Sequence, residues 1–275
     1  MSAKLKIVST DLDGTLFNSR AEISPKNLKT IHKLKKTNCL FVIATGRSVY
    51  SAKTSLPNGL PLDYLVSSSG ACLLDWKNDE VIKSYNLPLH HVEHVFQVLN
   101  KRHIDFTIQE AVPENHKYSY ILKTSDNPDF KRRNSLYPGF AKQIREQEFR
   151  PAEACQFISI VQGDKAISTY ESIREELSHL KVIRSTSPID HNSLWIEIYA
   201  PEVSKANGVQ YLADHYQVDR KDILVIGNDY NDLDMLNWAE NAFVVENAPD
   251  DIKSSFPTVA SNDDDGFSEA VEKWF

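Results

Sequence analysis

The chain has 275 residues, 41% hydrophobic and 25% charged, a composition typical of a globular protein and unlike that of a disordered chain. Its 31 basic and 38 acidic side chains give a formal net charge of −7, which argues against general binding to nucleic acid or to an anionic membrane. No stretch approaches the ~20 apolar residues that span a bilayer, and the run before Asp11 is too short for a signal peptide. The three cysteines are widely spaced and form no CxxC pair, so we expect buried free thiols and a cytoplasmic protein.

Residues 6–67 contain compact apolar runs that alternate with helical patterns. The run Lys6–Thr10 is rich in β-forming residues and stops at Asp11, and Ser24 followed by Pro25 predicts the start of a helix. Further strands are predicted at Leu40–Ala44 and Tyr64–Ser67, and a helix at Val49–Ser55. Strands that alternate with helices in this way predict a Rossmann-like, doubly wound parallel sheet.

The middle of the chain has a different pattern, because its predicted strands cluster without regular alternation. The predicted helices are Leu89–Asn100 and Ala166–Leu180, and the predicted strands are Ile104–Gln109, Tyr118–Leu122, Gln156–Val161, Val182–Arg184 and Leu194–Tyr199. The stretch 115–151 is rich in charge, Pro and Asn, and we place its long loops on the surface. These features predict a separate α+β module.

The alternating pattern returns after residue 200. The predicted elements are helix Lys205–His215, strand Ile223–Ile226 ending at Gly227, helix Leu233–Trp238, strand Phe243–Val245 and helix Phe267–Lys273. The predicted fold class is therefore α/β, with a core formed by residues 1–84 and 200–275 and an α+β domain, residues 85–199, inserted between them.

The first chemical signal is the hexapeptide Asp11-Leu12-Asp13-Gly14-Thr15-Leu16, directly after a predicted strand. In open parallel sheets, ligands bind beyond the carboxyl ends of the strands, where Asp11 is expected to lie. Asp11 and Asp13 would repel one another, and a hard cation such as Mg²⁺ removes that penalty. A bare Asp-x-Asp fits a turn or a helix cap equally well, but the whole hexapeptide rarely arises by chance.

This hexapeptide resembles the first motif of the haloacid dehalogenase superfamily of phosphatases. Thr45 matches the family's second motif, a hydroxyl residue at the end of the second core strand that donates to a phosphoryl oxygen. The form Thr45-Gly46-Arg47 is similar to that of the Cof-like, type IIB branch. Arg47 either contacts the phosphate or the leaving group, or pairs with an acid of the core, and both alternatives stay open.

Lys205 matches the family's third motif, a lysine at the start of a helix, with Ser204 as a plausible N-cap. A cation there would neutralise Asp11 and the phosphoryl group during transfer. A lone lysine is usually a solvated surface charge, but its position before the last predicted core strands favours a function.

The segment Gly227-Asn228-Asp229-Tyr230-Asn231-Asp232 corresponds to the family's fourth motif, Gly-Asp-x-x-Asn-Asp. Asn228 departs from that motif by replacing its first Asp. Either Asn228 binds the cation through its amide oxygen, or Asp229 does so after a small shift, and Asn231 and Asp232 support the ion directly or through water.

The resemblance implies a Mg²⁺-dependent phosphohydrolase that forms an aspartyl-phosphate on Asp11, with Asp13 as general acid and base. The expected catalytic residues are Asp11, Asp13, Thr45 and Lys205; the expected substrate-binding residues are Thr45, Gly46, Arg47, Lys205 and Asn231; and the expected metal ligands are Asp11, Asp13, Asn228, Asp229 and Asp232. The implied substrates are sugar phosphates or related small phosphorylated molecules, and we expect a monomer or a weak homodimer.

Spacing determines where an extra domain can be inserted. The stretch 14–44 must hold a helix and has no room for one, whereas the stretch 46–204 can hold a domain of ~100 residues. That is the position of a type C2B cap, which the resemblance implies closes over the site and selects the substrate. Two alternatives remain: a phosphomutase of the same superfamily, and a catalytically silent ligand-binding or regulatory protein, which Asn228 alone encourages.

Overall fold

The structure is a computed structural model that describes residues 4–187 and 189–275. The chain forms two compact units. The core unit comprises the chain up to Lys83 together with Ser204–Phe275, and the inserted unit comprises Ser84–Val203.

The core unit is built from both ends of the chain. The first part contains strands β1 (Lys6–Thr10), β2 (Cys39–Ala44), β3 (Tyr64–Ser67), β4 (Cys72–Asp75) and β5 (Glu80–Ser84), and helices α1 (Pro25–Leu34) and α2 (Val49–Ser55). The inserted unit contains helices α3 (Leu89–Lys101), α4 (Pro128–Ser135) and α5 (Ala166–Glu176), and strands β6 (Phe106–Glu110), β7 (Tyr118–Ile121), β8 (Ala141–Gln143), β9 (Ala154–Val161), β10 (Lys181–Thr186) and β11 (Leu194–Tyr199). The last part contains helices α6 (Lys205–Tyr216), α7 (Leu233–Trp238), α8 (Asp250–Lys253) and α9 (Gly266–Trp274), and strands β12 (Ile223–Gly227), β13 (Asn241–Val245) and β14 (Thr258–Val259).

The core sheet has the strand order β14-β13-β12-β1-β2-β3-β4-β5. Pairing is parallel from β14 through β3, and β4 is antiparallel to β3. The chain therefore runs outward from β1 through β2 to β3 and, after the insertion, outward from β12 on the other side of β1. The boundary between β1 and β12 is the switch point at which open α/β sheets bind ligands.

Both faces of this sheet are covered, as its nearly continuous apolar strands require. Val42 and Ala44 of β2 belong to a buried cluster that includes Val209 and Leu212 of α6. Phe41 alternates with them and packs edge-on against Phe267 of α9, with ring centroids 5.8 Å apart. The predicted α/β fold with a doubly wound, parallel-rich core sheet is confirmed.

The inserted unit has its own sheet, with the order β10-β11-β9-β6-β7-β8. Its pairing is antiparallel except between β7 and β8. On one face Phe157 and Phe106 pack together beneath Phe96 of α3, and on the other Ile158 packs against Phe130 of α4.

The inserted unit differs from the prediction in two places. The prediction for the stretch 115–151 did not include α4 or β8, and Phe130 of α4 is fully buried. Helix α4 shows little apolar periodicity, because Asp129 and Arg133 are also buried on its inward side. Helix α5 ends at Glu176 instead of Leu180, because the backbone leaves the helical conformation at Leu177.

All three cysteines are buried free thiols. Within residues 4–187 and 189–275, no helix combines the length and the apolar character needed to cross a bilayer.

Candidate active site

Asp11 lies at the carboxyl end of β1, at the switch point of the core sheet. Its backbone N–H donates to the carbonyl oxygen of Ile226 on β12 at 2.9 Å, which ties the two strand ends together. The next residues turn sharply, and Gly14 has a positive φ of 75° that favours glycine. A Cβ atom at Gly14 would lie 2.7 Å from Nδ2 of Asn228, so glycine also allows the two loops to approach.

Lys205 contacts acidic residues from both parts of the core unit. It is the first residue of α6, whose N-cap Ser204 accepts a hydrogen bond from the backbone N–H of Asn207. Its ammonium donates to Oδ1 of Asp11 at 2.7 Å and to Oδ1 of Asp232 at 2.6 Å. Lys205 and Asp232 are completely buried and Asp11 is 4% exposed, so water screens these charges little.

The balance of these three charges shifts their pKa values. Burial raises the pKa of Asp11 to about 7, because the attraction of Lys205 is weaker than the combined effect of burial and of the nearby Asp232 and Asp13. Burial lowers the pKa of Lys205, but the carboxylates of Asp11 and Asp232 outweigh it and raise that pKa above its ordinary value. One ammonium therefore serves two buried carboxylates, and these three groups carry a net negative charge when Asp11 is ionised.

Asp13 and Arg47 form a two-point ion pair. Nε of Arg47 donates to Oδ2 of Asp13 at 2.7 Å, and Nη2 donates to Oδ1 at 2.6 Å. The guanidinium also lies 5.5 Å from the ring centroid of Phe17. Of the two alternatives left open for Arg47, the structure contains the pairing with an acid of the core.

The turn after β2 lies beside this pair. The hydroxyl of Thr45, which is 1% exposed, accepts a hydrogen bond from the backbone N–H of Arg47 at 3.1 Å. Nδ2 of Asn231 would lie 3.8 Å from a Cβ atom at Gly46, which places Asn231 against the same turn. Thr45, Gly46, Arg47 and Asn231, predicted from separate motifs, therefore lie together.

The three candidate ligands after β12 have different surroundings. Oδ2 of Asp232 accepts from the backbone N–H groups of Asn228 at 2.8 Å and Asp229 at 3.1 Å. Oδ1 of Asp229 accepts from the backbone N–H of Tyr230 at 2.8 Å, so this carboxylate caps the turn that precedes α7. Oδ1 of Asn228 instead accepts from the hydroxyl of Thr15 at 2.9 Å, beside the turn that follows Asp11.

The donors at this edge of the sheet suit a hard cation. The carboxylate of Asp11 and the amide oxygen of Asn228 are oxygen donors of the kind that Mg²⁺ prefers, and the negative charge of the ionised Asp11 favours a cation. In the described part of the chain, no group of three or more His, Cys, Asp or Glu side chains is arranged to hold a metal ion. The residues fit a Mg²⁺ site with few protein ligands, since this ion commonly keeps several waters and also binds substrate phosphate.

Two residues near the site were not predicted. Thr15 lies inside the first motif, yet its contact with Asn228 depends on the tertiary fold. Nδ2 of Asn247, after β13, donates to the carbonyl oxygen of Gly14 at 2.8 Å, and its Oδ1 accepts from the backbone N–H of Asn262 at 3.0 Å. A polar residue two positions after the end of a core strand was the only signal in the sequence that could have indicated Asn247.

Comparison with known proteins points to one family. The model of the haloacid dehalogenase-like hydrolase family matches residues 8–271. Two enzymes of Bacillus subtilis (strain 168), both named 5-amino-6-(5-phospho-D-ribitylamino)uracil phosphatase, are similar along nearly their whole length. YwtE is 27% identical, with 98% of each chain covered, and YitU is 25% identical, with 100% of this chain and 99% of YitU covered.

A solved structure shows the same fold. The subclass IIB sugar phosphatase BT4131 superposes with a TM-score of 0.78 over 98% of each chain, at 18% sequence identity. This similarity extends over both units, and the resemblance noted in the motifs is confirmed at the level of the family.

Proposed function

The chain belongs to the haloacid dehalogenase-like hydrolase family, and from this premise we propose that it is a Mg²⁺-dependent phosphohydrolase acting on small phosphomonoesters. One observation carries the proposal: the buried carboxylate of Asp11, at the switch point of the core sheet, shares the ammonium of Lys205 with Asp232. A carboxylate in such a place can attack phosphorus while an adjacent cation stabilises the charge on the phosphoryl oxygens.

In the proposed first step, a carboxylate oxygen of Asp11 bonds to phosphorus and the ester bond to the leaving oxygen breaks. Asp13, after it leaves its pair with Arg47 and takes up a proton from solvent, gives that proton to the leaving oxygen, and then removes a proton from the water that hydrolyses the aspartyl-phosphate. Lys205 and Thr45 bind equatorial phosphoryl oxygens in this proposal. Water releases inorganic phosphate and restores Asp11.

Arg47 is proposed to control the position of Asp13. The two hydrogen bonds between them fix the carboxylate in one orientation. Asp13 must leave this pair before it can donate a proton, and an arriving phosphate dianion competes for the same guanidinium. Binding of substrate would therefore release Asp13 when it is needed, with Gly46 and Asn231 lining the same side of the site.

Bound Mg²⁺ would neutralise charge on Asp11 and on the transferring phosphoryl group. The residues proposed to hold the ion are Asp11, the main-chain carbonyl of Asp13, and Asn228. We favour Asn228 over Asp229 because the Asp229 carboxylate caps a turn, whereas the Asn228 side chain contacts the loop that follows Asp11. Asp232 is proposed to support the site through Lys205 and through the backbone N–H groups of its own loop.

The inserted unit is proposed to be the type C2B cap module, and residues in that unit are proposed to choose among phosphorylated substrates. Two relatives are named as phosphatases of 5-amino-6-(5-phospho-D-ribitylamino)uracil, and one structural neighbour is described as a sugar phosphatase. Both ligands are small phosphomonoesters, so both classes belong among the candidate substrates.

The test is a panel of sugar phosphates and other small phosphomonoesters, including 5-amino-6-(5-phospho-D-ribitylamino)uracil, assayed for phosphate release with Mg²⁺ and then with EDTA. We expect Mg²⁺-dependent release that Asp11→Asn reduces to background. Asp79→Asn, which removes an exposed carboxylate paired with Lys53, is the matched control and should retain full activity.

The same panel tests the alternatives. Isomer formation from hexose phosphates that exceeds phosphate release would identify a phosphomutase. Absence of phosphate release from every compound, with the wild-type protein folded, would favour the catalytically silent alternative and contradict the proposal. Full activity in Asp11→Asn would contradict the assignment of the nucleophile.

A further inference from the structure

Asn228 places a neutral amide where the corresponding motif of the family has a carboxylate. It follows β12 directly, beside the loop that carries Asp11 and Asp13. The substitution removes one negative charge from the edge of the sheet that we propose binds Mg²⁺. The following inference rests on that proposed function and concerns the source of the negative charge that Mg²⁺ binding requires.

The neighbouring acids are poorly placed to replace the missing carboxylate. Asp232 accepts hydrogen bonds from Lys205 and from two backbone N–H groups of its loop, and it is completely buried. Asp229 caps the turn before α7 through the backbone N–H of Tyr230. A shift of either carboxylate toward the Asp11 loop would break hydrogen bonds that shape the β12 loop itself.

Asn228 is held by a local contact of its own. The hydroxyl of Thr15 donates to its Oδ1 at 2.9 Å, and its Nδ2 lies against Gly14. A carbonyl oxygen has two lone pairs, so Oδ1 can accept from Thr15 and still bind a cation. The amide is therefore preorganised as a ligand, but it contributes a dipole where a carboxylate would contribute a full charge.

The charges of Asp11, Asp232 and Lys205 balance only part of the charge of a divalent cation. When Asp11 is ionised, it and Asp232 carry two negative charges, and the ammonium of Lys205 offsets one of them. Asp13 is paired with Arg47, so its charge is also offset. In the described residues, no three or more His, Cys, Asp or Glu side chains are grouped so that they could hold a metal ion.

We propose that Asn228 makes Mg²⁺ binding depend on phosphate: the chain's own ligands hold the ion weakly, and the phosphoryl dianion of the ligand supplies the missing negative charge. Mg²⁺ and phosphate then bind with positive coupling. Because coupling between two ligands is reciprocal, phosphate also binds more tightly when Mg²⁺ is present.

The inference is tested by isothermal titration calorimetry of Mg²⁺ into the full-length protein, with and without saturating inorganic phosphate. We expect phosphate to increase the Mg²⁺ affinity of the wild-type protein by about tenfold or more, as a direct ligand of full charge should. Equal affinity with and without phosphate would overturn the inference. This comparison needs no variant, so it does not depend on the folding of an altered protein.

Asn228→Asp provides the second comparison. The added carboxylate should increase the affinity for Mg²⁺ alone by about tenfold or more, and should weaken the binding of phosphate alone by like-charge repulsion. Asn58→Asp is the matched control, because it adds the same charge in an exposed turn of the core unit and should leave both affinities unchanged. Tight binding of Mg²⁺ alone to the wild-type protein, not increased in Asn228→Asp, would contradict the role of Asn228.

A second readout is the midpoint of thermal unfolding, which rises with any ligand that binds only the folded state. Mg²⁺ alone should raise the midpoint more in Asn228→Asp than in the wild-type protein. None of these measurements requires turnover. If Mg²⁺ and phosphate bind independently while the protein releases phosphate in an Asp11-dependent reaction, the inference alone is rejected. If Mg²⁺ and phosphate bind with positive coupling but no substrate releases phosphate, the proposed function alone is rejected.

Discussion

Asp11 should make the metal-free protein less stable as the pH rises from acid to neutral. Burial raises the pKa of Asp11 in the folded protein to about 7, from an ordinary value of 3.8 that we assign to the unfolded chain. Between these values the folded protein holds a proton on Asp11 that the unfolded chain has lost. The proton on Asp11 therefore stabilises the folded protein. This stabilisation is complete below about pH 4 and is lost as the pH rises through the pKa of Asp11 in the folded protein.

The size of the effect follows from the shift. One pKa unit corresponds to about 1.4 kcal/mol, so the whole shift of Asp11 corresponds to about 4 kcal/mol. Between about pH 5 and about pH 8, the contribution of Asp11 to the free energy of unfolding should fall by about 3 kcal/mol. Little of this is screened by water, because Asp11 is 4% exposed.

The assay is urea denaturation of the wild-type protein and Asp11→Asn in EDTA at both pH values. The variant cannot take up this proton, so its stability relative to wild type should improve by about 3 kcal/mol from about pH 5 to about pH 8. Glu269→Gln is the control: a hydrogen bond from Lys273 lowers the pKa of Glu269, so its contribution changes only below this pH range. A constant difference between Asp11→Asn and wild type would refute the electrostatic argument.

Two further predictions concern residues that position the site. Arg47→Ala removes the partner of Asp13 and should lower kcat by about tenfold and change the pH profile of kcat. Arg47→Lys should restore only part of the lost kcat. An unchanged pH profile in steady-state kinetics would contradict this prediction. Asn247→Ala removes the donor to the Gly14 carbonyl and should cost about 1 kcal/mol of stability and about tenfold in kcat. Asn241→Ala loses similar amide bonds at the start of β13 and should cost stability alone, so equal kinetic losses would reject a positioning role.

The core of the fold could be predicted because its strands carry their signal locally. Lys6–Thr10 is a short run rich in β-forming residues and Ile223–Gly227 is a short apolar run. Both are almost entirely buried, and each is followed directly by a polar residue, Asp11 or Asn228. The edge strand Glu80–Ser84 was missed because all of its residues are exposed and show no apolar face. Helix Pro128–Ser135 was missed because polar residues share its buried side with a single phenylalanine.

In the candidate site, too, some features could be predicted from the sequence and others could not. The positions of Asp11 and Lys205 follow from motifs at a strand end and a helix start, and the structure brings both side chains into contact. The pairing of Arg47 with Asp13 could not be chosen from the sequence, because it depends on how two loops from different strands face one another. Asn247 acts through a backbone carbonyl, and such a contact produces no pattern of residue types.

The central claim is that Asp11 receives the phosphoryl group. The direct measurement is mass spectrometry of the protein quenched in acid during turnover of an active phosphomonoester with Mg²⁺, followed by mapping of the modified peptide. We expect the mass of one phosphoryl group on the peptide that contains Asp11, and none in Asp11→Asn. Turnover with no phosphorylated enzyme, or with the group on another residue, would contradict the account.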